Sequence, residues 1–153
     1  MNYVFVLGLG IGIVAGLRSL TAPAVVAWAA HLDWLNLHGS PLAFMGSTAA
    51  VVIFSLLAVG ELVADKLPTM GKRTAPAPLA ARMITGGLCA ACLCASKGQS
   101  LVIGALLGGI SGALGAFLGF SIRRRLDMHI KDLAVAICED VIAVGLALLL
   151  VSR

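Results

Sequence analysis

Residues 133–152 read LAVAICEDVIAVGLALLLVS, an aliphatic run interrupted by the adjacent acids Glu139 and Asp140. A helix of this length rises about 30 Å, which matches the hydrocarbon core of a bilayer. An ionisable side chain facing hydrocarbon costs roughly 3 kcal/mol on insertion scales, so these carboxylates need a basic partner, a proton or a bound cation. The stretch therefore predicts a membrane-spanning helix that carries a functional site.

The composition of the whole chain indicates the same class of protein. The 153 residues are 60% hydrophobic and 12% charged, with a mean hydropathy of +1.05, whereas soluble domains are about half apolar and a quarter charged. We predict an all-α, polytopic transmembrane helix bundle that forms a single membrane domain over residues 1–153 and has the lipid bilayer as its main partner. The net charge of +4 does not indicate a nucleic-acid partner, because the basic residues cluster between apolar runs.

Six apolar runs are separated by short polar linkers. They cover residues 2–17, 22–35, 43–67, 79–95, 101–122 and 133–152. Between the first two runs lies Arg18, and Thr21 followed by Pro23 is typical of a helix N-cap and first turn. The pattern favours a chain break near Arg18. A tight hairpin there gives six membrane segments, and a kinked or re-entrant element gives five; the sequence leaves both open.

The basic residues predict the orientation of the bundle. Two linkers are rich in Lys and Arg, with Lys66, Lys72, Arg73 and Arg82 flanking one, Arg123, Arg124, Arg125 and Lys131 in the other, and only Lys97 and Arg153 on the opposite side. The positive-inside rule places the loops around Lys72 and Arg124 in the cytoplasm and the C-terminus outside, in a cell inner membrane. His31, Asp33 and His38 then lie in an outer loop, which we interpret as solvated because their spacing matches no standard metal site.

Small residues recur at every fourth position in two of the runs. They are Gly8, Gly12 and Gly16 in the first run, Gly104, Gly108 and Gly112 in the fifth, and Ser111, Gly115 and Gly119 on a neighbouring face of the fifth. This spacing lets helix backbones approach closely in lipid, so it predicts glycine-zipper packing. The contacts lie either within one subunit or across a homo-oligomer, of which a dimer is favoured.

A second pair of acids, Glu61 and Asp65, lies four residues apart near the end of the third run, on one helix face. The alternative to a buried site is that Glu61 and Asp65 lie at a helix end that reaches water, where Lys66 neutralises one of them. The octapeptides LAVGELVA (57–64) and VAICEDVI (135–142) resemble each other. If each octapeptide lies in the last of three membrane segments, the two halves of the chain form an inverted repeat. This architecture places ion and substrate sites near the midplane of many transporters.

The residues at the predicted break complete the candidate site. A helix starting there combines the charge of Arg18, two hydroxyls and the positive end of a helix dipole, a group that suits a carboxylate or phosphate. The alternative is an ion pair between Arg18 and a buried acid, with no ligand. The predicted substrate- or ion-binding residues are Arg18, Ser19, Thr21, Glu61, Asp65, Glu139 and Asp140.

Three sets of these residues resemble a known family. They are GLRSLTAPA (16–24), GELVADKLP (60–68) with RTAP (73–76), and ED (139–140) followed by AVG (143–145). Together they are similar to the small bacterial integral membrane proteins described as domain of unknown function 4126, over nearly the whole chain. The resemblance supports the five charged residues of the candidate site but implies no activity.

A transporter or channel for a small solute or ion, coupled to protons or cations at the intramembrane acids, is the function that these patterns favour. We predict no catalytic residue and no cofactor other than a bound proton, sodium ion or divalent cation. A membrane enzyme acting on lipid is one alternative, with Asp65 and the paired acids holding a divalent metal against a phosphate. No phosphate-binding loop or His-Glu-x-x-His motif supports it. A scaffold or assembly subunit is the other alternative.

Overall fold

The computed structural model describes residues 2–64, 76–126 and 132–152. These residues form six α-helices, a short 3-10 helix and no strand, which confirms the all-α prediction. The helices are α1 (Asn2–Leu17), α2 (Thr21–His31), α3 (Thr48–Ala64), α4 (Pro76–Ser96), α5 (Leu101–Leu126) and α6 (Asp132–Val151), and the 3-10 helix is Ala43–Gly46. The bounds of α1 coincide with the first apolar run.

Helices α1, α4 and α5 make the most extensive contacts of the fold. α1 runs parallel to α5, since Gly12 lies against Gly108 and Gly16 lies against Gly115. α4 runs antiparallel to α5, with Gly104 beside Cys94 near one end and Gly112 beside Arg82 near the other. These three helices therefore form the centre around which the others are arranged.

The small residues of α5 allow this close approach. Gly104, Gly108 and Gly112 contact α4, whereas Ser111, Gly115 and Gly119 contact α1. A methyl group placed on Gly16 would lie 2.6 Å from the Cα of Gly115. Both stripes of α5 are thus occupied by contacts within the chain. They supply no argument for an interface between copies, and the predicted homo-oligomer stays a prediction.

The remaining helices pack on this centre. α6 runs antiparallel to α1, because Gly10 is beside Leu150 whereas Arg18 is paired with Asp140. α2 packs on α3 and α6 and, within a shared apolar cluster, on the centre. α2 runs antiparallel to α3, since Leu20 contacts Glu61 and the far end of α2 lies at the 3-10 helix preceding α3. Asp140 of α6 and Glu61 of α3 are therefore both found beside the residues that connect α1 to α2.

The helices do not support the predicted inverted repeat. Such a repeat would make α2 and α5 equivalent, yet they have 11 and 26 residues. α5 packs mainly on α1 and α4, whereas α2 packs on α3 and α6. The similarity between residues 57–64 and 135–142 therefore reflects two apolar helices that each contain an acid.

Much of the surface of the helices is apolar. Within the described residues, two stretches, Leu79–Ser96 and Leu101–Ile122, are long and apolar enough to cross a membrane. Large apolar side chains are also exposed along three helices, among them Leu56 and Val63 of α3, Leu106 and Leu114 of α5, and Val141 and Leu148 of α6. The number of membrane segments stays a prediction.

We expect Gly16→Ala to lower the free energy of unfolding by about 1 to 3 kcal/mol, because the added methyl group meets backbone atoms of α5 that cannot move aside. Gly145→Ala is the matched control. A methyl group there meets nothing within 4 Å, so we expect it to be neutral or to stabilise α6 by about 0.5 to 1 kcal/mol. Unfolding in detergent monitored by circular dichroism measures both. Equal stability of the two variants would contradict the close approach of α1 and α5.

Candidate functional site

The candidate site lies where α1 ends and α2 begins. α1 ends at Leu17, and α2 begins at Thr21 with Leu20 as its N-cap. The predicted N-cap role of Thr21 is wrong, because Thr21 is the first helical residue and is buried, and no side chain within α2 caps the helix. The acceptor for the amide groups at this helix start comes from a different helix.

Glu61 of α3 supplies that acceptor. Its Oε1 accepts hydrogen bonds from the backbone N–H of Ser19 at 3.0 Å and from the Ser19 hydroxyl at 2.7 Å. Its Oε2 accepts a hydrogen bond from the N–H of Leu20 at 2.9 Å. A carboxylate at a helix N-terminus is also favoured by the positive end of the helix dipole. Glu61 therefore caps α2 from a distance of more than forty residues in sequence.

Arg18 occupies the other side of the junction. It is fully buried, at 0% exposure, and its guanidinium forms an ion pair with the carboxylate of Asp140 in α6. Its backbone N–H still donates to the carbonyl of Val14 at 2.8 Å, so Arg18 continues the last turn of α1. A cation at this position interacts favourably with the negative end of the α1 dipole. The structure thus contains the ion pair that the sequence left as one of two alternatives.

Arg82 is a site residue that the sequence interpretation missed. It was counted among the basic residues that flank a loop, but it lies inside α4 and is only 4% exposed. Its guanidinium donates a hydrogen bond to the carbonyl of Gly16, in the last turn of α1. Residues 79–95 form an apolar run that includes Arg82. This position within the run was the sequence signal that Arg82 lies in a helix and not in a loop.

Glu139 and Asp140 have different neighbours in the structure. Neighbouring residues in a helix are about 100° apart around its axis. Asp140 pairs with Arg18 of α1, whereas Glu139 approaches α5, where its Oε1 lies 3.8 Å from the position of a methyl group built on Gly119. The two carboxylates therefore face different helices.

The structure therefore divides the predicted acidic cluster. At the α1–α2 junction, Asp140 pairs with Arg18 on one side and Glu61 binds Ser19 on the other. Thr21 is buried at the same junction. Glu139 lies on a neighbouring face of α6. Asp65 lies outside the described residues.

Metal-ligating side chains are scattered through the described ranges. No group of three or more His, Cys, Asp or Glu residues in these ranges is placed to hold a metal ion. Cys89, Cys92 and Cys94 are free and buried in α4, as expected for small apolar side chains. The Nε2 atom of His38 lies 3.6 Å from Oδ1 of Asp33, and both side chains are highly exposed.

We expect Asp140→Asn to lower the free energy of unfolding by about 3 kcal/mol, because removing one partner of a buried ion pair leaves the other charge uncompensated. Replacing both partners, as Arg18→Met with Asp140→Asn, is expected to recover much of this loss. The unfolding of both single variants and the double variant in detergent gives the coupling energy. The exposed Asp33→Asn is the matched control and should change nothing. Additive losses in the double variant would show that the pair does not contribute to stability.

One known protein family matches nearly the whole chain. Residues 5–152 match the sequence model of the family described as Domain of unknown function (DUF4126). Searches of curated proteins and of solved structures gave no match. Because the match covers nearly the whole chain and includes the residues of α1, α3 and α6 that meet at Arg18, the protein belongs to the DUF4126 family.

Proposed function

We propose that the protein is a multi-pass membrane transporter or channel for a small solute or ion, coupled to protons or cations at the junction between α1 and α2. The observation that carries this proposal is the buried ion pair between Arg18 and Asp140 at an interruption of the helices. Broken helices whose ends meet charged groups are the usual construction of ion and substrate sites in secondary transporters.

The membrane location is supported by the apolar outer surfaces of α3, α5 and α6 and by the two stretches long enough to cross a bilayer. The helix directions favour a hairpin of α1 and α2, with glycine-zipper packing of α1, α4 and α5. α2 has 11 residues, about 16 Å of helix, which is half of the hydrocarbon core of about 30 Å. We therefore propose that α1 and α2 enter from the outer side as a hairpin whose turn lies inside the bundle.

In the proposed mechanism, Arg18 and a proton or cation compete for the carboxylate of Asp140. A proton or cation that binds Asp140 removes the negative charge that Arg18 faces in this ion pair, and a buried guanidinium that loses this charge favours another anion in its place. That anion is either the substrate or the neighbouring Glu139. Because α6 holds Arg18 and α3 holds the start of α2, loss of the Asp140 contact releases one side of the hairpin and leaves the Glu61 side in place. This gives the junction two arrangements, as ion coupling requires.

A scaffold or assembly subunit is the second candidate. It is favoured by the observation that Glu61 and Asp140 already have partners within the chain. In that case the charges only hold the hairpin in position, and an apolar replacement of the ion pair preserves every function of the protein.

We expect vesicles containing the purified protein to show proton or sodium flux above that of empty vesicles, driven by a potassium gradient with valinomycin. The double variant Arg18→Met with Asp140→Leu should remain folded and lose this flux, because the carboxylate proposed to bind the ion is gone while the volume is filled. Glu139→Gln tests whether the neighbouring acid takes part, since the amide is nearly isosteric with the protonated acid. A pH-sensitive and a sodium-sensitive dye inside the vesicles provide the readout.

The controls separate transport from folding. Asp33→Asn removes an exposed acid on the loop and should retain the wild-type flux. If the wild-type protein carries neither ion, or if the double variant carries both as well as the wild type, the coupling site is rejected and the scaffold remains.

We further expect cysteines introduced at Lys72 and Arg124 into a cysteine-free background to be labelled only from the cytoplasmic side. A cysteine at Asn36 should be labelled only from outside. A cysteine at Asn2 distinguishes the two arrangements, because a hairpin places it outside and a single kinked crossing places it in the cytoplasm. Membrane-impermeant maleimide applied to intact cells and to inverted vesicles measures all four positions. Labelling of Lys72 and Arg124 from opposite sides would reject both arrangements.

A further inference from the structure

The segment between α2 and α3, residues 32–47, buries one set of apolar side chains and exposes another. The buried set belongs to the main apolar cluster of the fold and consists of Leu35, Leu37 and Met45. The exposed set consists of Leu32, Trp34 and Phe44, at 52, 55 and 53% exposure. The segment is thus attached to the core on one side and has an apolar outer surface on the other, a combination that a purely solvated loop does not need.

Hydrogen bonds fix the backbone of this segment. The N–H of Trp34 donates to the carbonyl of Ala29 at 2.8 Å, and the hydroxyl of Ser40 donates to the carbonyl of Leu37 at 2.8 Å. A ring nitrogen of His31 lies 2.9 Å from the carbonyl oxygen of Gly46. The exposed aromatic side chains are therefore carried by an ordered element.

The apolar surface of the segment continues onto the helices. Trp28 of α2 is half exposed, and its indole N–H donates to the hydroxyl of Ser55 in α3 at 2.9 Å. Near this contact α3 exposes Val52 and Ile53. Trp28 thereby joins the exposed apolar face of α3 to the end of the bundle where the segment lies.

The charge pattern identifies the surroundings of this end. No Lys or Arg occurs between Arg18 and Lys66, which is typical of the non-cytoplasmic side of a membrane protein. Trp and Tyr are enriched where a protein crosses from hydrocarbon to headgroups, because their rings are apolar and their N–H or O–H groups are polar.

We propose that residues 32–47 form an interfacial anchor, in which Leu32, Trp34 and Phe44 enter the headgroup boundary of the outer leaflet while Asp33 and His38 remain in water. The occupant of this surface is the lipid itself. The proposal rests on the membrane location given above and is independent of transport.

The chain has two tryptophans. Trp34 lies in the anchor and Trp28 in α2, so removal of Trp28 leaves a fluorophore that reports the anchor alone. We expect the Trp28→Phe variant, which retains Trp34, to lose most of its fluorescence in phosphatidylcholine vesicles brominated near the headgroup end of the acyl chains. Bromine near the chain terminus should quench it less, and iodide in the water only weakly. Strong quenching by iodide without quenching by bromine would overturn the proposal in favour of a solvated loop. Quenching by neither would also overturn it, because another protein surface would then cover Trp34.

A second variant separates failure of the anchor from failure of the membrane location. Phe117→Trp, made with both native tryptophans replaced by Phe, reports the exposed face of α5, where Phe117 is half exposed. We expect brominated lipid to quench it, because Phe117 lies within the stretch Leu101–Ile122 that is long and apolar enough to cross a membrane. If this variant is quenched and Trp34 is not, only the anchor is rejected; if neither is quenched by brominated lipid, the membrane location is rejected with it.

Discussion

The buried guanidinium of Arg18 is the constraint on which the arrangement of the outer helices depends. A cation with 0% exposure in an apolar bundle is tolerated only with a carboxylate beside it. Asp140 meets this requirement and sets the position of α6 along α1. The N–H groups that open α2 require an acceptor in the same way, and Glu61 of α3 provides it. Two peripheral helices are therefore positioned by polar contacts at one point of the chain.

The close packing of the centre creates the surroundings of this point. Gly16 serves two purposes, since its missing side chain admits the backbone of α5 and its carbonyl accepts the hydrogen bond from Arg82. A larger residue would separate α1 from α5 and move that carbonyl away from α4. The close packing of α1 on α5 and the polar contacts at the α1–α2 junction thus depend on each other. A substitution that separates α1 from α5 is expected to disturb the junction as well.

Much of the fold could be predicted from the sequence because it depends on local pattern. The first apolar run gives the bounds of α1, and the four-residue spacing in α5 gives the two faces that contact α4 and α1. The break near Arg18 also follows from Pro23, which suits a first helical turn. The cap on α2 could not be predicted, because its acceptor is Glu61, a contact between distant parts of the chain.

Other features of the site could have been inferred from helix geometry. Adjacent residues of a helix diverge by about 100°, which already indicated different neighbours for Glu139 and Asp140. The position of Arg82 within an apolar run argued against a loop. The inverted repeat was suggested by similar octapeptides, but common aliphatic residues resemble one another without sharing a tertiary environment, and here the corresponding helices differ in length and neighbours.

The energetics of the ion pair give the strongest argument for a functional junction. A buried salt bridge adds little stability compared with well-packed apolar residues of similar volume, since desolvation of both charges offsets their attraction. A bundle that needed only to hold a hairpin could do so with aliphatic side chains, which this chain has in abundance. It instead places a guanidinium and a carboxylate from different helices at the break between α1 and α2, beside a second carboxylate on the amides of Ser19 and Leu20 that precede α2. An ion pair can lose a charge to a proton or a bound ion and an apolar contact cannot, which supports the proposed coupling site.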